Sequence, residues 1–335
     1  MSITIRRYTG GEIDAIWDQL VDSSPQGTVF HTRRFLSYHP ADRFIDHSLL
    51  IFDGSNLLAV FPAAEVLDGT GAKILKSHPG SSYGGLVTHD NPPLEKCIEL
   101  IGSLVAYATE HGFKTIEFRA TERIFHSRPA EQMEYALLRS GFSRAYEEIG
   151  TYFDLEDQWD KSDEELIMTI PQKTRPPIRK GLSSGLQFRL LAGDDVLRDL
   201  HALITRNLIK HEATPTHSEA ELLRLAQLFP DRILAFGIFE GPVLIGGFVL
   251  FEITPGKWHI FYSAMDYAYS KLSPLHFGLY QLLCWSRANR YKYLNYGIST
   301  EDRGQEINWG LLKFKESFGG NAVIRTYWVK SLQQL

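Results

Sequence analysis

The chain has 335 residues, long enough for two ordinary domains, and its 44% hydrophobic and 22% charged content is that of a globular protein. A net charge of −5 excludes a global electrostatic footprint for DNA or an anionic membrane and leaves only local basic patches open. Its two cysteines, Cys97 and Cys284, each sit inside an apolar helical pattern and read as buried thiols; no CxxC pair suggests zinc or redox work.

The first stretch, MSITIRRYTGGEID, lacks the apolar core of a signal peptide, and no run approaches the roughly 18 apolar residues of a membrane span, so a cytoplasmic protein is expected. Ile13, Ile16, Trp17 and Leu20 then repeat at close to the helical period. Strands with a tight turn at Asp53-Gly54 follow, and next a long helix with Leu94, Ile98, Ile101, Val105 and Ala108 on one face. A strand over 115–118, a further helix and a last strand complete the run. The acidic stretch DLEDQWDKSDEEL marks a join near residue 160, and Ser162 with Glu165 forms a capping-box pattern. The helix so started meets Pro171 and then Pro176-Pro177, where it should bend or stop.

The same course then repeats. Leu197, Leu200, Ile204 and Leu208 mark an opening helix, Glu240-Gly241 a turn, and Leu275, Leu279, Leu282 and Leu283 a long helix. Ser273 is placed to cap that helix, with Pro274 at its first position, and a strand is expected over 293–296. Direct matches support a duplication. AYATEHGFKTIEFRATE lies on CWSRANRYKYLNYGIST at an offset of 178, so that Ile116 meets Leu294 and Phe118 meets Tyr296. GFSRAYEEIGTYFDL lies on FGGNAVIRTYWVKSL, with Thr151-Tyr152 meeting Thr326-Tyr327 at an offset of 175, and DGSNLLAVFPAAEV on EGPVLIGGFVLFEI at 187. Three matches in one order, with slowly drifting offset, make one α+β unit used twice. In this frame the glycines of GLLKFKESFGG match Gly141 of YALLRSGFSR, so they read as a helix stop common to both copies and not as a phosphate cradle.

This order of elements resembles the GNAT (Gcn5-related N-acyltransferase) fold. Two such units, with Arg175-x-x-Ile178-Arg179-Lys180 opening the second and Phe314-Lys315-x-x-Phe318-Gly319 closing it, resemble the FemAB-like (FemX-type) acyltransferases, as does SHPGSSYGGLV in the first. The resemblance implies an α+β fold of two tandem GNAT-like units with mixed central sheets, divided as 1–160 and 161–335. It also implies amide formation, in which an amino acid passes from aminoacyl-tRNA to an amine of a peptidoglycan precursor. More distant relatives are assumed to use acyl-CoA. The GNAT pyrophosphate loop R/Q-x-x-G-x-G/A is absent before either long helix, where copy two has DYAYSKLSPLH, and this favours the aminoacyl donor.

Such a transfer must align amine and carbonyl, stabilise a tetrahedral oxyanion and release a proton. It needs no metal, tightly bound cofactor or covalent nucleophile, and the chain has no GxSxG, HExxH or Walker A pattern. By resemblance Lys315 places a cation beside substrate phosphate or the reacting ester, the alternative being a solvated helix lysine. Phe314 beside it contacts substrate or packs in the core. Arg206 falls where family members often carry a substrate-binding arginine, or is an exposed helix charge. His39 takes the place of a lysine that FemX-type members often supply from the first unit. Tyr262, in WHIFYSAMDY, either hydrogen-bonds substrate or packs.

His211 and Glu212 follow the opening helix of copy two and are candidates to accept the proton lost by the amine, since an imidazole titrates near neutrality. The spacing of His211 and His217, in a polar loop, suits a metal poorly. Lys173, Arg175, Arg179 and Lys180 are either solvated surface or contacts to phosphates of tRNA or of a nucleotide-sugar precursor.

The expected function is therefore acyl or aminoacyl transfer to an amine of a peptidoglycan or surface-glycan precursor, with copy two carrying most of the chemistry. The rivals are an acyl-CoA-dependent N-acyltransferase acting on a small amine or amino sugar, and a non-catalytic binding protein for an anionic glycan.

Overall fold

An amphipathic helix or half-buried strand is stable only when its apolar side is covered, and a duplicated element order supplies two sets of such faces. The structure, a computed structural model, describes residues 3–210 and 212–332. Two compact units result. The first comprises the chain up to Glu148 together with the residues from Ile324 on, and the second is Ile149–Val323.

This division differs from the linear one at residue 160, and the reason lies in strand pairing. Strand Ser143–Asp154 ends the first copy, yet its residues 150–154 pair antiparallel with Tyr293–Ile298 of the second. Strand Asn321–Ser331 ends the second copy, yet its residues 327–331 pair with Thr115–Arg119 of the first. A repeat in sequence marks where the chain was copied, not which ladder a strand's N–H and C=O groups join.

In the first unit Thr115–Arg119 lies between residues 327–331 and Lys73–Ser77, antiparallel to the former and parallel to the latter. Ala63–Leu67 and the short Ile45–Asp46 extend that mixed sheet. A second, antiparallel sheet joins Ile3–Arg7, Leu49–Asp53, Asn56–Phe61 and Val87–Thr88. Helix Leu94–Glu110 buries Cys97, Leu100, Ile101, Leu104 and Ala108 against Ile116, Phe118 and Trp328. Leu94 and Ile98, expected on the buried face, are partly exposed, because that face turns toward Cys97 and Leu100.

In the second unit the order is Gln187–Leu190, Ile233–Glu240, Val243–Thr254, Lys257–Met265, Tyr293–Ile298 and then residues 150–154. The pair Lys257–Met265 and Tyr293–Ile298 is parallel and the others are antiparallel, so this sheet is mixed too. Helix Pro274–Ala288 buries Phe277, Leu279, Leu282 and Leu283 in a core shared with Trp258, Leu294 and Phe318.

Local signals explain most boundaries. Ser162 and Glu165 form the capping box of helix Asp163–Thr169 in both directions. That helix stops before Pro171, but Pro176-Pro177 do not end anything. They occupy the first turn of a new helix, Arg175–Ser183, where missing N–H groups cost nothing. Ser273 precedes helix Pro274–Ala288 in a left-handed conformation, φ +56°, and its side chain makes no cap. The shared helix stop is present: Gly141 (φ +80°) follows Gln132–Arg139 and Gly319 (φ +86°) follows Trp309–Glu316. Cys97 and Cys284 are both buried, and burial raises both thiols, Cys284 to about 12.

Candidate active site

The parallel pair in the second unit is short for its length. Lys257, Trp258 and His259 pair with Tyr293, Leu294 and Asn295, and there the ladder ends although both strands continue. Each continuing strand is held elsewhere. At Met265 the side chain of Asn207 clamps the first strand, donating to Met265 O (2.8 Å) and accepting from Met265 N (3.1 Å). The other strand stays with residues 149–154: Ile298 pairs with Gly150, and Ser299 N donates to Ile149 O at 2.8 Å. Two strands tied to different neighbours must part, and the gap exposes backbone that would otherwise be laddered.

Beyond the last rung the strand is bulged. Between the pairs Asn295–Tyr152 and Ile298–Gly150, Tyr296 and Gly297 stand opposite the single residue Thr151. Gly297 has φ +76°, a conformation glycine adopts without steric penalty. Side chains stitch the bulge. Gly297 N–H donates to Asn295 Oδ1 (2.6 Å), which also bonds His259 Nδ1 (2.8 Å). Lys315 Nζ, on helix Trp309–Glu316, donates to Gly297 O (2.9 Å) and Ile298 O (2.5 Å).

Lys315 is only 5% exposed, so it is not the solvated helix lysine of the bland alternative. A buried ammonium is costly unless bonded, and charge-assisted bonds of about 1.5–3 kcal/mol each offset that cost. Two of its acceptors are backbone carbonyls, which are neutral. The surroundings remain polar: Thr151 Oγ1, Tyr296 OH, Ser299 Oγ and Thr300 Oγ1 are buried with no hydrogen-bond partner among the described residues. Burial raises the Tyr296 phenol far above its usual range, so it stays protonated. A buried cation, a broken ladder and uncommitted hydroxyls make a place where negative charge can develop on a bound group.

No family profile and no curated protein matches the chain. Solved structures do. One is FemX, with a TM-score of 0.72 at 12% identity over 98% of this chain and 97% of that one. Another is L-PGS from Bacillus licheniformis, with a TM-score of 0.60 at 13% identity over 96% and 93%. A third is a tandem GNAT protein from the clavulanic acid biosynthesis pathway, solved without AcCoA, with a TM-score of 0.56 at 10% identity over the full length of both chains. The chain has a tandem GNAT fold.

Within this tandem GNAT scaffold the other expected residues are scattered. Phe314 is half-buried against Phe318 and His276, with ring centroids 5.4 and 5.1 Å away, and belongs to the core edge beside Lys315. Burial lowers the His276 imidazole, which sits in the first turn of helix Pro274–Ala288. Tyr262 is buried and its hydroxyl is engaged: it accepts from His217 N (3.1 Å) and bonds His217 Nδ1 (3.0 Å). Burial also raises the Tyr262 phenol. Arg206 is exposed on helix Asp194–Ile209, one residue before Asn207. His211 lies outside the described residues, and among those residues no group of three or more His, Cys, Asp or Glu is gathered as for a metal.

The basic run divides. Arg175 folds back, donating to Ile170 O (2.8 Å) and Met168 O (2.7 Å), and so holds the start of its own helix. Arg179 and Lys180 are exposed on that helix, and Lys173 precedes it, also exposed. His39, in the first unit, is half-buried; its Nε2 bonds Gly80 O (3.0 Å), and its ring stacks on His78 at 5.7 Å.

Sequence reasoning missed His259, Asn295 and Gly297. Only the Tyr-Gly break in the strand pattern YLNYGI hinted that the strand could not stay regular there.

Proposed function

We propose that this protein is an N-acyltransferase that forms an amide between an activated acyl or aminoacyl group and an amine, with the chemistry at the parted strands of its second unit. The observation that carries this reading is the buried Lys315 ammonium seated on the carbonyls of Gly297 and Ile298 where the parallel ladder ends. An acyl carbonyl placed there would direct its developing oxyanion toward a fixed, desolvated positive charge, which is worth more than the same charge in water. The polar hydroxyls around it offer donors to the ester or amine. Arg179 and Lys180 supply phosphate contacts to a donor or acceptor that carries phosphates.

An aminoacyl-tRNA donor is favoured over acyl-CoA because the segment before helix Pro274–Ala288 is a 3-10 helix, Tyr267–Leu272, with no glycine to let backbone approach a pyrophosphate. A cytoplasmic site of action goes with that donor, and a peptidoglycan or surface-glycan precursor amine is the acceptor. Among the described residues no helix is long and apolar enough to cross a membrane.

The test is a mass-spectrometric transfer assay that offers aminoacyl-tRNA and acyl-CoA donors against a mixed pool of amines. The unmodified protein is expected to give an amide product with aminoacyl-tRNA. Lys315→Ala should lower turnover about 10²–10³-fold. Undiminished turnover in that variant would remove Lys315 from the site. No product with any donor would leave the glycan-binding alternative.

A further inference from the structure

The bulge fixes more than a cation. A backbone N–H can only donate, so the atom of Asn295 that meets Gly297 N at 2.6 Å is the amide oxygen. The same oxygen lies 2.8 Å from His259 Nδ1. An amide oxygen can only accept, so Nδ1 must carry a proton. In the neutral imidazole the other nitrogen, Nε2, then holds the lone pair. Protonation at Nε2 leaves the Nδ1 bond intact, so this ring can gain and lose a proton without reorienting.

The place of Nε2 matters as much as its tautomer. His259 and Asn295 are the last rung before the strands separate, and Gly297 lies beyond them. A Cβ at Gly297 would stand 3.2 Å from His259 Cε1 and 3.9 Å from Nε2. The far edge of the imidazole therefore points past the last rung, over the glycine, in the direction in which the sheet opens. Lys315 reaches the carbonyl of that same glycine. Phe261 lies 5.9 Å from the ring, and His217 packs on Phe261 at 4.9 Å. His259 is 7% exposed and Asn295 fully buried, so a polar pair has been placed where an apolar one would fold more easily.

The matching rung of the first unit shows that the scaffold does not require this pair. Lys76 and Glu117 follow Leu75 and Ile116 in the equivalent parallel ladder, and they form a half-exposed ion pair at 2.7 Å.

We infer that His259 is the general base of the transfer, its tautomer set by Asn295; this rests on the acyl-transfer reading above. As the amine nitrogen bonds to the acyl carbon, its proton passes to His259 Nε2. The carbon–oxygen bond to the donor then breaks, and the departing alkoxide takes up the proton held on Nε2, so that one ester and one amine become one amide and one alcohol and the imidazole is neutral again.

His259→Asn provides the test, because an asparagine amide N–H can still reach the Asn295 oxygen while Nε2 is deleted. Turnover is expected to fall about 10²–10³-fold, with half-saturation for both substrates within about twofold and the acid limb of the kcat/KM profile lost. Thermal unfolding of the variant checks that it remains folded. Independently of turnover, long-range ¹⁵N–¹H correlation of the unmodified protein should show His259 as the Nδ1–H tautomer. Near-normal turnover with an unchanged acid limb in His259→Asn, or an Nε2–H tautomer, overturns the base. An unmodified protein that makes no amide with any donor overturns the acyl-transfer reading, and the base with it.

Discussion

Each unit contains a parallel ladder of three rungs, and the two treat its end in opposite ways. In the first unit the opening is sewn shut. Ser77 Oγ accepts from Arg119 N (2.8 Å), Arg119 O accepts from Gly84 N (2.7 Å), and Arg119 Nη1 donates to Ser81 O (2.5 Å). The segment 78–86 thereby fills the gap, with Tyr83 fully buried in it. In the second unit the ladder's end is held open by the Asn207 clamp and the Gly297 bulge. Both units also bury a cation, with different partners. Arg325, in the first, meets carboxylates: Glu122 at 3.1 Å and Glu148 at 3.8 Å. Lys315, in the second, meets carbonyls. The first unit thus sets its buried cation against carboxylates, and the second seats its own on backbone carbonyls.

The largest effect that would test this contrast is on stability in the first unit. Glu122 is 1% exposed and Arg325 8%, and Tyr83 OH lies 3.3 Å from the guanidinium. Arg325→Met should cost about 3–5 kcal/mol in urea unfolding, because it removes the guanidinium that faces a buried carboxylate. The double variant Arg325→Met, Glu122→Gln should recover most of that loss. If the single variant is nearly neutral, the first unit is not held by a cancelled charge and the contrast with Lys315 collapses.

Acid should also act on the first unit. His31 is 1% exposed, and its Nδ1 accepts from Thr28 N (3.2 Å) and lies 2.8 Å from Thr28 Oγ1, so the ring is neutral. Burial lowers its pKa from 6.5 to about 4. Between those values the unfolded chain binds a proton that the folded one refuses, so stability falls as pH drops through the window and the contribution is whole above about 6.5. The expected loss is roughly 3 kcal/mol from pH 7 to 4. His47 and His78, each lowered to about 4 chiefly by burial, act in the same direction. Urea midpoints measured at pH 7, 5.5 and 4.5 should decline steadily, and His31→Gln should flatten the slope. A flat profile in the unmodified protein would mean that these rings are not buried neutral.

What could be read from the chain was local or periodic. The Ser162–Glu165 box, the turns at Gly54 and Gly241 and the paired helix stops at Gly141 and Gly319 depend on residues a few positions apart. The duplication was legible because strand and helix periods survive drift in sequence. The exchange of final strands was not, since no residue type records which neighbour a strand will pair with. Ser273 was placed correctly before its helix, but its backbone turned left-handed and took its hydroxyl away from the cap. Lys315 came from resemblance, whereas its seat on Gly297 and Ile298 needed the bulge to be seen. His259 and Asn295 are 36 residues apart and acquire meaning only when the ladder brings them to one rung.

That rung also sets the smallest prediction. Lys76 and Glu117 stand where His259 and Asn295 stand in the other unit, but each side chain is 33% exposed. Exposed pairs of this kind contribute about 0.2–1 kcal/mol and are screened by salt. Lys76→Met should therefore shift the urea midpoint slightly, with the difference shrinking at high ionic strength, and should leave amide formation unchanged. A loss of transfer in Lys76→Met comparable to that in Lys315→Ala would show that the rung of the first unit also serves the reaction. The division into one structural and one chemical copy would then have to be abandoned, because the sealed ladder would be acting on the open one.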